Sequence, residues 1–152
     1  MRKIIAALFS AALMASSASA SDEVDVIKKV NEFVDAFNKS DLKTAIDTCA
    51  AQTFIIDQIP PYAWQGATGC TDWSKDFEAF AKKNGITEPK VTLGRANIDV
   101  TDNRAYVVAP AYFAFTQKGK RISEQGSTLT VALQNISNKW QITGWTWTKR
   151  KN

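Results

Sequence analysis

The C-terminal half of the sequence constrains the fold most, because it consists of segments with the composition of β-strands separated by turn residues. Four such segments are predicted, at residues 90–99, 105–116, 123–134 and 140–148. The turns between them are Thr101–Arg104, Gln117–Lys120 and Asn135–Asn138. Connections this short join neighbouring antiparallel strands, so the segments predict a four-stranded meander.

The second of these strands is apolar on both faces. Tyr106 and Tyr112 lie on one face together with Val108 and Ala114, and the other face carries Val107, Ala109, Phe113 and Phe115. A strand of this kind lies in mid-sheet or has one face covered by a partner. One expectation is therefore a homodimer formed through this face of the sheet.

The N-terminal half predicts three helices and one strand. The first helix begins at Ser21 or Asp22, the second runs from Leu42 to about Ala50, and the third begins at Thr71 or Asp72 and ends at Asn84-Gly85. The strand Thr53–Pro61 lies between the second and third helices and is stopped by Pro60-Pro61. Helices followed by a meander predict the α+β class, with three helices packed in a strongly curved, mainly antiparallel sheet.

Residues 1–20 have the features of an export signal. Arg2 and Lys3 precede an apolar run from Ile4 to Met14, and the segment ends in Ala18-Ser19-Ala20, which fits a cleavage site. The run is too short for a transmembrane helix, so we expect a periplasmic or secreted single domain of residues 21–152 with no membrane attachment. Its net charge is +2, since the loss of Arg2 and Lys3 lowers the +4 of the full chain.

The two cysteines, Cys49 and Cys70, both lie in the predicted mature chain. An even number of cysteines in an exported protein favours a disulfide. Two free thiols are the alternative, with Cys49 as a small buried apolar residue.

Several classes of function are excluded by residue type. The sequence has no histidine, and no cysteine cluster has the spacing of a metal site, so neither a metal nor another cofactor is predicted. No P-loop, dinucleotide fingerprint, G-x-S-x-G motif or C-x-x-C motif is present. Nucleic-acid binding is not expected either, because the aromatic residues alternate with apolar ones as core residues do.

The order of elements resembles that of the nuclear transport factor 2-like superfamily, which includes ketosteroid isomerases and polyketide cyclases of the SnoaL kind. The resemblance lies in Glu32–Leu42, in the strand Thr53–Asp57, and in Asn138–Ile142 with the aromatic strand that follows. It extends over essentially the whole predicted mature chain. It implies a cystatin-like cone, an α+β barrel, but no particular function, because this fold carries many unrelated sites.

The resemblance also implies a position for a catalytic base. In ketosteroid isomerases a carboxylate ends the first strand, and Asp57 occupies that place. The tyrosine that donates a hydrogen bond from the first helix of those enzymes is replaced by Phe33, and the segment Ser127–Thr130 has no acid to replace their second donor. Losing one such donor typically lowers the rate about 100-fold to 1000-fold, so isomerisation of the familiar kind is not expected.

The candidate ligand-binding residues are mostly aromatic and are Phe33, Phe37, Asp57, Tyr62, Trp64, Phe77, Tyr106, Tyr112 and Trp145. Asp57 is either a carboxylate at the base of an apolar pocket or a rim residue bonded to a loop amide. Tyr62 and Trp64 either line the mouth or only cover the core. Tyr106 and Tyr112 are the candidate neutral donors.

Three functions fit these residues. The first is an exported domain that binds a small apolar or aromatic molecule. The second is an isomerase or cyclase with Asp57 as general base, and the third is a dimeric interaction module.

Overall fold

The computed structural model describes residues 12–149 of the chain, with side chains described from residue 20 onward. The helices are α1 (Ala12–Asn38), α2 (Leu42–Asp47) and α3 (Gly69–Asn84). The strands are β1 (Cys49–Ile56), β2 (Ala63–Gly66), β3 (Ile86–Leu93), β4 (Asn97–Thr101), β5 (Arg104–Gln117), β6 (Lys120–Ile136) and β7 (Lys139–Lys149). The predicted α+β class and the meander are confirmed.

All strands join one curved, mixed sheet in the order β2-β1-β7-β6-β5-β3, and β4 pairs with β5 beside β3. The pair β1–β7 is parallel and the other pairs are antiparallel. The helices pack on the inner face of the sheet, where the apolar stripe of α1 joins the inward residues of the long strands in one core.

Several element boundaries differ from the sequence predictions, among them the start of α3, which is at Gly69 and not after Thr71 or Asp72. Helix α2 ends at Asp47, since Thr48 caps it and β1 already begins at Cys49. The short strand β2 was not predicted. The single strand predicted at 90–99 is two strands, β3 and β4, which both pair with β5. They are separated opposite Pro110 of β5, because proline has no N–H to donate to the ladder. At this point the Gly94 N–H donates to the Pro110 carbonyl at 2.8 Å.

Helix α1 begins before the predicted start at Ser21, since the segment from Ala12 is rich in alanine, a strong helix former. It therefore spans the predicted cleavage site after Ala20. Residues 1–11 lie outside the described part of the chain, so the signal peptide remains a prediction. None of the described helices has the length and hydrophobicity that a bilayer span requires.

The predicted disulfide is confirmed. Cys49, the first residue of β1, is bonded to Cys70 in the first turn of α3. The bond fixes the start of α3, which lines the cavity described below, to the start of β1, the strand that leads directly into Asp57.

Candidate functional site

A cavity of about 360 Å³ lies between the helices and one end of the curved sheet. Its lining comes from α1, α3, the segment after β1, and strands β3, β5, β6 and β7. Nine of the lining residues are aromatic: Phe33, Phe37, Trp73, Phe77, Phe80, Phe113, Phe115, Trp145 and Trp147. The remainder are Val34, Asp57, Gln58, Ile59, Asn84, Ile86, Val91, Gln117, Glu124 and Leu129.

Asp57 reaches the cavity because side chains alternate along β1. Ile55 is fully buried and its neighbours Phe54 and Ile56 are exposed on the outer face, so the next residue points inward again. The carboxylate accepts hydrogen bonds from Trp73 Nε1 at 2.8 Å and from the Gln58 N–H at 2.6 Å. Asp57 thus lines the cavity and also bonds a loop amide, which combines the two alternatives set out from the sequence.

The environment of Asp57 changes its acidity. Burial raises the pKa of the Asp57 carboxyl, while the hydrogen bonds from Trp73 and Gln58 act in the opposite direction. No Lys or Arg of the described residues lies within ion-pair distance of it. Asp57 is therefore a largely buried acid that is hydrogen-bonded but has no paired cation among residues 20–149.

The aromatic wall contains two groups of contacting rings, and the larger one consists of Phe33, Phe37, Trp73, Phe77 and Trp145. Trp73 lies at its centre, with its ring centroid 4.7 Å from that of Trp145 in an edge-to-face arrangement and 5.8 Å from that of Phe77. Phe113 contacts Phe115 at 5.0 Å and Trp147 at 6.2 Å. Aromatic pairs in such geometries are stabilised beyond the burial of their surface, so the wall has a defined shape.

Glu124 is a second carboxylate in the lining, and it was not predicted from the sequence. Residues 127, 129, 131 and 133 of β6 point inward, so regular alternation would turn Glu124 outward. The register of β6 against β5 shifts by one residue between Ser127 and Glu124, and Gly126 in this bulge has a φ of +79°. The extra residue reverses the alternation and directs Glu124 inward. A glycine inside a predicted strand was the available signal.

Glu124 is paired with a lysine near the end of β7. Its Oε1 lies 2.7 Å from Lys149 Nζ, and the side chains of the two residues are 20% and 31% exposed. The other oxygen, Oε2, is buried and has no hydrogen-bond partner among the described residues. The second carboxylate therefore has its charge compensated but retains a free acceptor.

The lining also contains free hydrogen-bond donors. The indole N–H groups of Trp145 and Trp147 are buried and have no partner in the described part of the chain. In the parallel pair of β1 and β7, Ile56 lies opposite Thr146. Asp57 and Trp147 each follow one of these two residues, so they lie next to each other. A buried donor that is left unpaired costs about 1 to 3 kcal/mol.

No group of three or more His, Cys, Asp or Glu residues that could hold a metal ion occurs within residues 12–149. The polar groups of the cavity are thus two carboxylates, the indole N–H groups, and the amide side chains of Gln58, Asn84 and Gln117. These groups can bind and orient a ligand through hydrogen bonds, and Asp57 can accept a proton.

The structure brings five of the predicted site residues together. Phe33, Phe37, Asp57, Phe77 and Trp145 all line the cavity. Their roles in binding, and the catalytic role of Asp57, remain predictions.

The predicted placement of Tyr106 and Tyr112 in the lining is wrong. Inward positions on β5 are odd-numbered, so both tyrosines point to the outer face, where they are 53% and 44% exposed. Phe113 and Phe115 of the same strand face the cavity instead. The homodimer remains a prediction that light scattering would test.

Tyr62 and Trp64 are also outside the lining. Tyr62 lies at the end of the turn after β1, with φ +76° and 58% exposure, so its ring extends into solvent. Trp64 is buried in β2 behind β1, and its Nε1 donates to Asp76 Oδ2 at 2.8 Å. Trp64 therefore covers the core, which was one of the two alternatives.

No protein-family model and no curated protein matches the sequence. Solved structures do match the fold. An NTF2-like protein with a cystatin-like fold from Novosphingobium aromaticivorans is 10% identical, with a TM-score of 0.72 over 93% of this chain and 90% of that one. A nuclear transport factor 2-like superfamily protein from Salmonella enterica serovar Typhimurium is 13% identical, with a TM-score of 0.71 over 90% and 94%.

A proposed dehydratase of the NTF2-like family from Streptomyces avermitilis is 12% identical, with a TM-score of 0.72 over 88% of this chain and 99% of that one. Identities this low carry the fold and not the function. The chain therefore has the nuclear transport factor 2-like, or cystatin-like, fold.

Proposed function

We propose that the protein is an exported domain that binds a small molecule with an aromatic or apolar body in the cavity beside Asp57. The observation that carries the proposal is the lining, in which nine aromatic residues enclose about 360 Å³ together with a few polar groups. Ligand sites are typically concave, mostly apolar and about 300 to 1,000 Å³ in volume. Since a cavity of about 150 Å³ holds benzene, this one has room for a body of about two six-membered rings.

Export is supported by the leader-like features of residues 1–20 and by the disulfide. Structural disulfides are common in oxidising compartments and rare in reducing ones. Detection of residue 21 as the N-terminus of protein recovered from the periplasm or medium would test this part of the proposal.

Binding is tested with a neutral naphthalene dye of two fused rings whose emission changes in apolar surroundings. The matched variants are Val91→Phe and Thr92→Phe in β3, because Val91 lines the cavity and Thr92 is exposed on the other side of the strand. Filling the cavity with V91F should weaken dye binding at least about tenfold, which corresponds to about 1.4 kcal/mol, whereas T92F should leave it unchanged. No binding by the parent, or equal effects of the two variants, would contradict the proposal.

The second candidate function is proton transfer, favoured by the position of the Asp57 carboxylate in the lining of the cavity. Asp57 would remove a proton next to a carbonyl group, and the N–H groups of Trp145 and Trp147 would stabilise the negative oxygen that develops. The indole N–H groups would then act as the neutral hydrogen-bond donors, the role that the sequence suggested for Tyr106 and Tyr112.

The test is deuterium exchange into an enolisable ketone, followed by NMR. D57N should abolish the exchange, and Trp147→Phe should slow it about 100-fold, the usual effect of losing one donor. Exchange that is absent in the parent, or that persists in D57N, would exclude this activity while leaving simple binding intact.

A further inference from the structure

We propose that the cavity selects organic cations, namely protonated amines attached to an aromatic body, over neutral and anionic molecules of the same shape. This inference rests on the proposed binding function and adds the charge of the ligand. It follows from three properties of the lining: its formal charges, the environment of Asp57 and the number of aromatic faces.

The formal charges of the lining have one sign. Asp57 and Glu124 are its only ionisable residues among those described, and it contains no Lys or Arg. Lys149 lies beside the lining but forms an ion pair with Glu124 at 2.7 Å. The charge of Asp57 is therefore left without a paired cation in the described part of the chain.

The hydrogen bonds at Asp57 do not supply that missing charge. Trp73 Nε1 and the Gln58 N–H are neutral donors, at 2.8 and 2.6 Å. They orient the carboxylate and leave its formal charge on the cavity side. Buried charges are normally paired, and a ligand ammonium group would complete the pair.

The aromatic wall favours the same ligand. Nine rings line the cavity, and the negative faces of Phe and Trp rings attract a cation that lies within about 6 Å of the ring centroid. An anion would meet two carboxylates and these ring faces, so its charge would be repelled. A neutral molecule would gain the apolar contacts alone.

The test uses three probes in which a phenyl ring carries two further carbons: 2-phenylethylamine, 2-phenylethanol and phenylacetate. At pH 7 they are a cation, a neutral molecule and an anion, respectively. Isothermal titration at pH 7 should give an affinity for the amine at least about tenfold above that for the alcohol, and weaker binding of phenylacetate than of the alcohol. An amine that binds no more tightly than the alcohol overturns the charge selection and leaves the proposed binding function standing. If none of the three binds while the naphthalene dye does, the charge selection is overturned and the binding function stands; if the dye does not bind either, the proposed function fails as well.

Two matched variants assign the effect to Asp57. D57N removes the negative charge of a carboxylate inside the cavity. D76N is the control, because the Asp76 carboxylate lies outside the lining but, like that of Asp57, accepts a tryptophan N–H at 2.8 Å. D57N should reduce the preference for amine over alcohol to near unity, and D76N should preserve it. Equal loss in both variants would show that the preference comes from the net charge of the protein and would overturn the assignment. Circular dichroism and thermal unfolding confirm that each variant is folded, and the comparison of probes on the parent needs no variant.

Discussion

The two ends of the core are built differently on the same sheet. At one end, here called the packed end, the side chains of Val26, Val30, Val107, Val131, Leu133 and Ile142 are aliphatic and at most 1% exposed. At the other, the cavity end, the residues are mostly Phe and Trp, and they enclose about 360 Å³. Larger side chains surround the empty space, so the helices and the sheet must lie further apart there.

The cavity therefore results from the course of the backbone and not from small side chains. Two register shifts lie on either side of Leu129 and Val131, one at Gly126 in β6 and one at Thr143 in β7, opposite Ala132 and Leu133. Bulges increase the local twist and bend of a strand. At Gly144 the neighbouring strand also comes close, since a Cβ there would lie 2.5 Å from the Phe54 carbonyl oxygen.

The largest expected effect is a difference between two leucines of β6. Leu133 lies in the packed end and Leu129 lines the cavity, and both are almost fully buried. Leu133→Ala should destabilise the protein by about 4 kcal/mol, because it opens a new void in close-packed surroundings. Leu129→Ala should cost only about 2 to 3 kcal/mol, because that side chain already borders empty space. Urea unfolding of both variants measures the difference, and equal costs would mean that the two ends are packed alike.

The second prediction concerns the bond that fixes α3 to the start of β1. Replacing Cys49 and Cys70 together by Ala should destabilise the protein by about 3 kcal/mol, the value for a closed loop of this size in the chain-entropy model. Because α3 forms a wall of the cavity, dye binding should weaken in the same variant. Reductant added to the parent is the control. A variant as stable as the parent would show that packing alone holds α3 in place.

The third prediction tests the bulge that directs Glu124 inward. Gly126→Ala should cost about 1 to 2 kcal/mol, because alanine at φ +79° adopts a left-handed conformation that L-residues disfavour. Steric clash does not contribute, since an added Cβ has no atom within 4 Å. Gly126→Asn should cost less, because asparagine tolerates this conformation better. Equal costs for the two variants in thermal unfolding would argue against a conformational origin.

The sequence predicted the parts of the fold that depend on local pattern. The strands of the meander and the stop of α3 at Gly85 follow from residue spacing, and the structure agrees. Glu124 could not be predicted by counting, because one extra residue in β6 reverses the face of everything before it.

The donor to Asp57 could not be predicted from the sequence either, because Trp73 reaches it only through the packing of α3 on β1. Tyr106 and Tyr112 of β5 were assigned to the wrong face of the sheet. Their strand is apolar on both faces, so alternation alone does not tell which row faces the helices. The inner row is the one that joins the residues of the helices in the hydrophobic core, which is tertiary information.

The smallest expected effect compares two carboxylates whose environments act in opposite directions. Burial raises the pKa of Asp57, at the cavity end, above the ordinary value of 3.8. Hydrogen bonds from the Thr44 side chain and backbone lower the pKa of Asp41, which caps α2 at the surface. Ionisation of Asp57 therefore opposes folding, whereas ionisation of Asp41 favours it.

The two residues should consequently give stability differences of opposite slope. The free energy of unfolding of the parent minus that of Asp57→Asn should fall as pH rises from about 3.8 through the folded-state pKa of Asp57, and stay constant above it. The corresponding difference for Asp41→Asn should be present at neutral pH and be lost as pH falls below about 3.8 through the lowered pKa of Asp41. Urea unfolding at a series of pH values measures both. A flat or rising difference for Asp57 would mean that a cation compensates its charge in the folded protein, and the case for an amine ligand would then lose its main support.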